Sequence, residues 1–287
     1  MKIKKRAVVS IKGGLGNQIF QLIFCNYLKS KGFKVYIDLA AYRLSKSKLI
    51  KLNMTKRSLI FPLSNFGFKP TKRPLLISLK LYKKIYSFLK KDIEIETHFD
   101  GHVVSENKIG LISFFDGYWK NTKYLEENFQ YLKDSLSLNS QINKSINSKS
   151  IEGSILVHIR RDDFVNNGWD LPESFYLKAI EFIENRKDVS FIDIFTDDLD
   201  WFNKSQIATH KKISKIYSPK SNSKNEIIET FANMMKYKHF IIGNSTYSYF
   251  PAYLKSDKES IVIVSEPWFR NSSHPDISKD HWIKLDY

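Results

Sequence analysis

The run His158-Ile159-Arg160-Arg161-Asp162-Asp163 sets two guanidiniums and two carboxylates directly after an apolar stretch, Ile155-Leu156-Val157. A guanidinium carries permanent charge and a planar fork of donors, which suits a diphosphate gripped at two points. The bland alternative is an Arg–Asp network that only solvates a loop, but adjacent arginines at the end of a buried strand favour binding. Thr196-Asp197-Asp198-Leu199-Asp200 places carboxylates after a second apolar run. Asp197 reads as a nucleotide contact. Asp198-x-Asp200 has the spacing of a short metal-binding pattern, yet an Asp at a helix start is often only an N-cap, so no metal site is assigned. Gly243-Asn244-Ser245-Thr246-Tyr247-Ser248 ends a third run with small hydrogen-bonding groups, which could equally cap the helix ahead of them.

Near the N-terminus, Gly13-Gly14-Leu15-Gly16-Asn17-Gln18 follows a β-rich stretch. Its backbone N–H groups and the helix behind it could face an anion. It is not a Walker loop, since no Gly-Lys-Ser/Thr follows, and Ile19 stands where a dinucleotide fingerprint has its third glycine. A plain strand-to-helix turn explains it as well. His98 and His102 have the i, i+4 spacing of a metal pair, but Gly101 between them speaks against a helix and no third ligand lies nearby.

These residues need elements to hold them. Ala7–Ile11 reads as a strand. A helix then carries Ile19, Phe20, Ile23, Phe24, Tyr27 and Leu28 on one face, Gly32 is its left-handed C-terminal cap, and Lys34–Asp38 is the next strand. The second half repeats the logic, with strands at 155–159, 190–195, 240–242 and 261–264 and a helix after Pro172. The alternation predicts an α/β protein with parallel sheets. In open α/β sheets ligands bind at the carboxyl ends of strands, and every polar cluster of the second half sits at such an end. The Ser/Asn/Lys-rich stretch 138–150 reads as a surface linker, which divides the chain into domains 1–150 and 151–287.

The chain has 287 residues, 42% hydrophobic and 26% charged, enough apolar content to exclude general disorder. A single cysteine, Cys25, excludes an internal disulfide and a cysteine-built metal site. No stretch approaches the ~20 apolar residues that span a bilayer, and the basic start lacks the apolar segment of a signal peptide, so a cytoplasmic location is expected. The net charge of +16 is uneven: residues 1–91 hold 22 of the 46 Lys+Arg and one acid, Asp38. Such asymmetry points to an anionic surface or polymer. Within it Lys69–Lys91, part of a basic insertion at 41–91, interleaves lysines with Leu, Ile, Tyr and Phe. It is either a basic amphipathic helix on the inner membrane face or an ordinary solvated one.

Taken together, the motifs resemble the bacterial α-1,2-fucosyltransferases, inverting glycosyltransferases that use GDP-fucose. The likeness begins at Gly13-Gly14-Leu15-Gly16-Asn17-Gln18-Ile19-Phe20-Gln21 and continues at Asp116-Gly117-Tyr118-Trp119-Lys120, where Lys120 replaces the usual Gln. It is strongest at Val157–Phe164, matching His-x-Arg-Arg-x-Asp with Asp162 in place of a common Gly. Leu171-Pro172, Phe195–Asp198 and Asn244–Ser248 follow in order, with Tyr249 and Phe250 where tryptophans are usual.

The resemblance implies a GT-B-like α/β fold, two facing Rossmann-like domains with parallel sheets and the donor cleft between them. It also implies that Arg160 binds the β-phosphate and stabilises departing GDP, with Arg161 beside it. His158 and Asp197 contact guanosine; Asn244, Ser245 and Thr246 complete the diphosphate cradle; Gly14, Gly16 and Asn17 reach the donor from the other domain. Asp163 or Glu173 would serve as general base, unless Asp163 only holds Arg160. No cofactor and no metal is implied, GDP-fucose being the substrate. The acceptor would be O2 of a galactoside in a glycan or lipid-linked oligosaccharide, in polysaccharide or O-antigen synthesis. Two rival readings remain: another nucleotide-sugar transferase on the same scaffold, and a nucleic-acid-binding protein built on the basic third. The second needs a stacking face of interleaved aromatics, which Tyr82, Tyr86 and Phe88 barely supply; no recognition motif is present and no nucleic-acid partner is expected.

Overall fold

In a computed structural model, the structure describes residues 5–45, 56–72, 112–219, 221, 223–270 and 276–287, with isolated positions 47, 75, 77, 81, 95 and 96. His98, His102 and most of Lys69–Lys91 lie outside the described residues. The chain forms two compact units, Met1–Ser135 and Leu136–Tyr287.

The first unit is a parallel sheet of β1 (Arg6–Ser10), β2 (Lys34–Asp38), β3 (Ile95–Glu96) and β4 (Ile112–Phe115), in the order β2-β1-β4-β3. Helix α1 (Leu15–Ser30) links β1 to β2, as its apolar spacing predicts. Gly32 has φ of 85°, and the amides of Gly32 and Phe33 close back on Lys29 and Leu28. A residue with a Cβ is strained there, so glycine marks the helix end.

Most of α1 is buried, far more than an amphipathic stripe needs. Phe24 stacks on Trp119 at 4.3 Å and meets Phe115 edge-on at 5.3 Å. Tyr27 packs on Tyr124 at 4.6 Å. Tyr124 lies in α2 (Thr122–Glu127), which precedes α3 (Phe129–Ser137).

Two buried glutamines fasten α1 to its surroundings. Gln18, 1% exposed, donates to the carbonyls of Gly13 (3.0 Å) and Ser58 (2.8 Å) and accepts from the Ile60 amide at 2.9 Å. Gln21, fully buried, accepts from Lys12 N and donates to Gly117 O, both at 3.0 Å. The Asp116–Lys120 motif therefore closes over α1: Gly117 takes the Gln21 bond, Trp119 fills the core, and Asp116 pairs with Lys12 at 2.7 Å.

The second unit is a six-stranded, wholly parallel sheet of β5 (Ile151–Ile159), β6 (Phe191–Thr196), β7 (Ile213–Tyr217), β8 (Tyr237–Gly243), β9 (Val262–Ser265) and β10 (Ile283–Leu285). The order is β10-β9-β8-β5-β6-β7. Its helices are α4 (Ser140–Asn147), α5 (Asp162–Asn167), α6 (Glu173–Glu184), α7 (Leu199–Lys204), α8 (Lys224–Met234) and α9 (Thr246–Lys255). Stretch 138–150 is thus not a linker. Asn139 caps α4 by accepting from the amides of Gln141 and Ile142, and Ile142 and Ile146 are buried at i, i+4.

Strand β5 divides its side chains between the sheet faces, as alternation requires. Ile155, Val157 and Ile159 pack with Phe175, Ala179 and Ile183 of α6. His158 points the other way and meets Ser248 of α9. The chain runs from β5 through β6 to β7 on one side, then returns to β8 on the other side of β5. The strand order therefore reverses between β5 and β8, where open sheets leave a crevice at their carboxyl ends.

The glutamine staples make a stability prediction. Gln21→Leu keeps the bulk but leaves one backbone donor and one acceptor unpaired, at about 1–3 kcal/mol each. We expect a clear fall in the urea midpoint of the transition that reports the first unit. An unchanged midpoint would show that these bonds contribute nothing net.

Candidate active site

The pairing of β5 with β6 assembles the charged cluster. Ile159 lies opposite Thr196 in the parallel register, so Arg160 and Arg161 emerge opposite Asp197 and Asp198. The contacts follow that register. Arg160 Nη1 donates to Asp197 Oδ2 and Nη2 donates to Asp163 Oδ1, with Asp162 at 3.6 Å. The Arg161 amide donates to Asp197 Oδ1 at 2.8 Å. Its guanidinium splits between Asp198 (Nε, 3.1 Å) and Asp170 (Nη1, 2.9 Å) and lies 4.4 Å over the Trp201 ring.

The two arginines are not equivalent. Arg161 is held on three sides by carboxylates and a ring and ties the β5, β6 and Asp170 loops together. Arg160 is gripped by Asp197, whose side chain is 13% exposed, and by Asp163, at 33%. Asp163 stands in the first turn of a six-residue helix. Burial raises the Asp197 carboxyl above its ordinary range, against the pull of Arg160 and the Arg161 amide. Five carboxylates thus surround two guanidiniums.

Beyond the charges, β8 delivers the neutral donors. Asn244 Nδ2 donates to the Trp169 carbonyl at 2.6 Å. Ser245 caps α9 by accepting from the Tyr247 amide at 3.3 Å, and Thr246 is the first residue of that helix. His158, 7% exposed, shares a 2.8 Å hydrogen bond between Nδ1 and Ser248 Oγ, which itself reaches the carbonyls of Ser245 and Ile242. Burial, aided by the nearby Arg160 charge, lowers His158 to about 3, so the ring is neutral.

Eight of the sequence-predicted residues therefore stand together in the second unit, at the ends of β5, β6 and β8: His158, Arg160, Arg161, Asp163, Asp197, Asn244, Ser245 and Thr246. Gly14, Gly16 and Asn17 belong to the first unit, at the carboxyl end of β1. There Gly13 has φ of 81°, and a Cβ on it would fall 2.9 Å from Asn17 Nδ2 and 3.2 Å from the Tyr118 ring. Gly14 is the backbone N-cap of α1, and Gly16 is buried in its first turn.

Asp198 is an N-cap, accepting from the Trp201 amide at 3.0 Å while it holds Arg161. Among the described residues no group of three or more His, Cys, Asp or Glu is placed to hold a metal. Glu173 spends one oxygen on the amides of Gln206 and Ile207, which fixes it in a turn-holding role. Reading the sequence did not find Asp170, Trp201 or Ser248 as partners. The β5–β6 register brings in Asp198, but nothing in the spacing of the other three announces a contact.

Residues 7–286 match glycosyl transferase family 11, and the chain belongs to that family. It is similar to an alpha-1,2-colitosyltransferase of Escherichia coli, 26% identical over 308 residues that cover 97% of this chain and 98% of that protein. It is also similar to the O-antigen biosynthesis glycosyltransferase WbnK of Escherichia coli, 27% identical over 329 residues, covering 96% and 99%. Among solved structures it is similar to the fucosyltransferase NodZ from Bradyrhizobium, with 10% identity, a TM-score of 0.45 and coverage of 88% and 92%. Among the described residues no helix is long and apolar enough to cross a membrane.

The buried histidine gives a pH prediction with a definite sign. Its folded value of about 3 lies below the ordinary 6.5, so the stability from holding it neutral is present above pH 6.5 and is lost as pH falls toward 3. The loss is about 1.4 kcal/mol per pH unit. Unfolding of His158→Asn should therefore depend less on pH than the wild type between pH 6.5 and 4. Parallel pH profiles would contradict the assignment.

Proposed function

We propose that this family 11 glycosyltransferase moves L-fucose, with inversion, from GDP-fucose to a hydroxyl of a glycan acceptor, O2 of a galactoside in the first instance. The observation that carries the reading is the position of Arg160. It stands at the carboxyl end of the central strand β5, beside the reversal of strand order and the Asn244–Thr246 turn. The curated relatives support the setting, since one is named for O-antigen biosynthesis and the other for an α-1,2 transfer. The second name also favours a close alternative, colitose as the transferred sugar on the same scaffold.

In this mechanism the β-phosphate takes Arg160 Nη2 from Asp163, the more exposed of its two hydrogen-bond partners, while Asp197 keeps Nη1 in place. As the bond between the sugar C1 and the phosphate oxygen breaks, GDP leaves with the electron pair. Its growing charge meets a guanidinium already aimed at it, with no reorganisation at the moment of reaction. Asp163, released, takes the proton of the acceptor hydroxyl that attacks C1 from the opposite face. His158 and Asp197 border the guanosine. Arg160 supplies the charge that a divalent ion supplies in other transferases, so the proposed reaction needs no metal.

The test is incubation with GDP-fucose and a panel of β-galactosides, followed by linkage analysis, with GDP-colitose as the second donor. Arg160→Ala should lower turnover by ~10²–10³ while unfolding stays cooperative. Arg160→Lys should not restore it, because a point charge lacks the planar fork. The wild-type rate should persist in EDTA. A lysine variant with near-normal turnover would remove Arg160 from the assigned role. Activity lost in EDTA and regained with Mn²⁺ would remove the metal-free step.

A further inference from the structure

A cluster of three aromatic rings begins beside Arg160 at Phe164 and does not enter the core. Phe164 lies on α5, Trp169 follows that helix, and Phe269 follows β9. Each is half-buried, although the chain has ample core to bury rings completely. They touch one another, with centroids 5.8 Å apart for Phe164–Trp169, 6.1 Å for Phe164–Phe269 and 4.8 Å for Trp169–Phe269. Their place is fixed from two sides. The Arg160 guanidinium lies 5.5 Å over the Phe164 ring, and Asn244 holds the Trp169 carbonyl. One apolar surface thus continues from the guanidinium assigned to the diphosphate.

From this juxtaposition we infer that Phe164, Trp169 and Phe269 form the platform for the donor's sugar ring and select a 6-deoxyhexose. The inference rests on the GDP-sugar reading above. In a nucleotide sugar a single oxygen joins C1 to the β-phosphate, so the sugar lies beside whatever holds that phosphate. Ring faces accept C–H surface and a methyl group, and burying one methyl is favourable. Apart from the Trp169 indole N–H, the trio offers no polar side-chain atom to a 6-hydroxyl, which would lose its water there without a partner. An apolar wall discriminates modestly against an added hydroxyl, by ~10–10².

The experiment titrates the full chain with GDP, GDP-L-fucose and GDP-L-galactose, the last two differing only by the oxygen on C6. The wild type should bind GDP-L-fucose about tenfold or more tightly than GDP-L-galactose. Trp169→Ala should bring the two close to parity while GDP affinity stays within about twofold. Phe269→Leu, a milder change, should narrow the gap in the same direction, with unfolding midpoints confirming both folds. Unchanged discrimination in both variants, or an equal loss of affinity for all three ligands, would overturn the platform. A wild type that binds none of the three would instead overturn the donor reading itself.

Discussion

The parallel pairing of β5 with β6 is the interaction on which the candidate site depends. Because Ile159 is opposite Thr196, each arginine leaving β5 meets a carboxylate leaving β6, and a shift of one residue would dissolve both pairs. The register is secured by apolar side chains on both sheet faces, which a slip would turn the wrong way. Positions of the charged groups are thus set by packing, and the charges in turn close the loops above the sheet. Arg161 does most of that closing, drawing Asp170, Asp198 and Trp201 into one knot. Arg160 is left with one deep partner and one shallower one, a geometry open to exchange.

Much of this was legible in the chain itself. The β1–α1–β2 unit, its glycine cap, β5, β6, β8, β9 and the helix after Pro172 all read correctly from periodicity and turn chemistry. The strand-end clusters announced themselves through adjacent arginines and small hydroxyl residues. What stayed hidden was hidden for physical reasons. Helix α4 buries only Ile142, Ser145 and Ile146, so its stripe is lost in a Ser/Asn/Lys composition that resembles a linker. Strand β7 is an exposed edge, where lysine interrupts the alternation. Gln18 and Gln21 had no role legible in the sequence, yet they are internal staples. A buried amide is satisfied by backbone groups distant in sequence, such as Ser58 and Gly117, and no local pattern encodes those.

In the first unit, packing alone fixes the residues of the glycine turn. Gly13 must be glycine because its backbone is left-handed and Asn17 and Tyr118 crowd it. The same crowding positions the Asn17 amide at the start of α1.

The central claim is that the diphosphate displaces Asp163 from Arg160 and that the released carboxylate then accepts a proton. Asp163→Asn separates those two parts, since it removes the competing charge and the base at once. Titration of this variant with GDP, beside its turnover with GDP-fucose, is the most direct measurement. The account predicts GDP binding as tight as or tighter than wild type, together with turnover reduced by ~10²–10⁴. Weakened GDP binding with turnover unchanged would contradict it, and would make Asp163 a fixed support for Arg160 throughout the reaction.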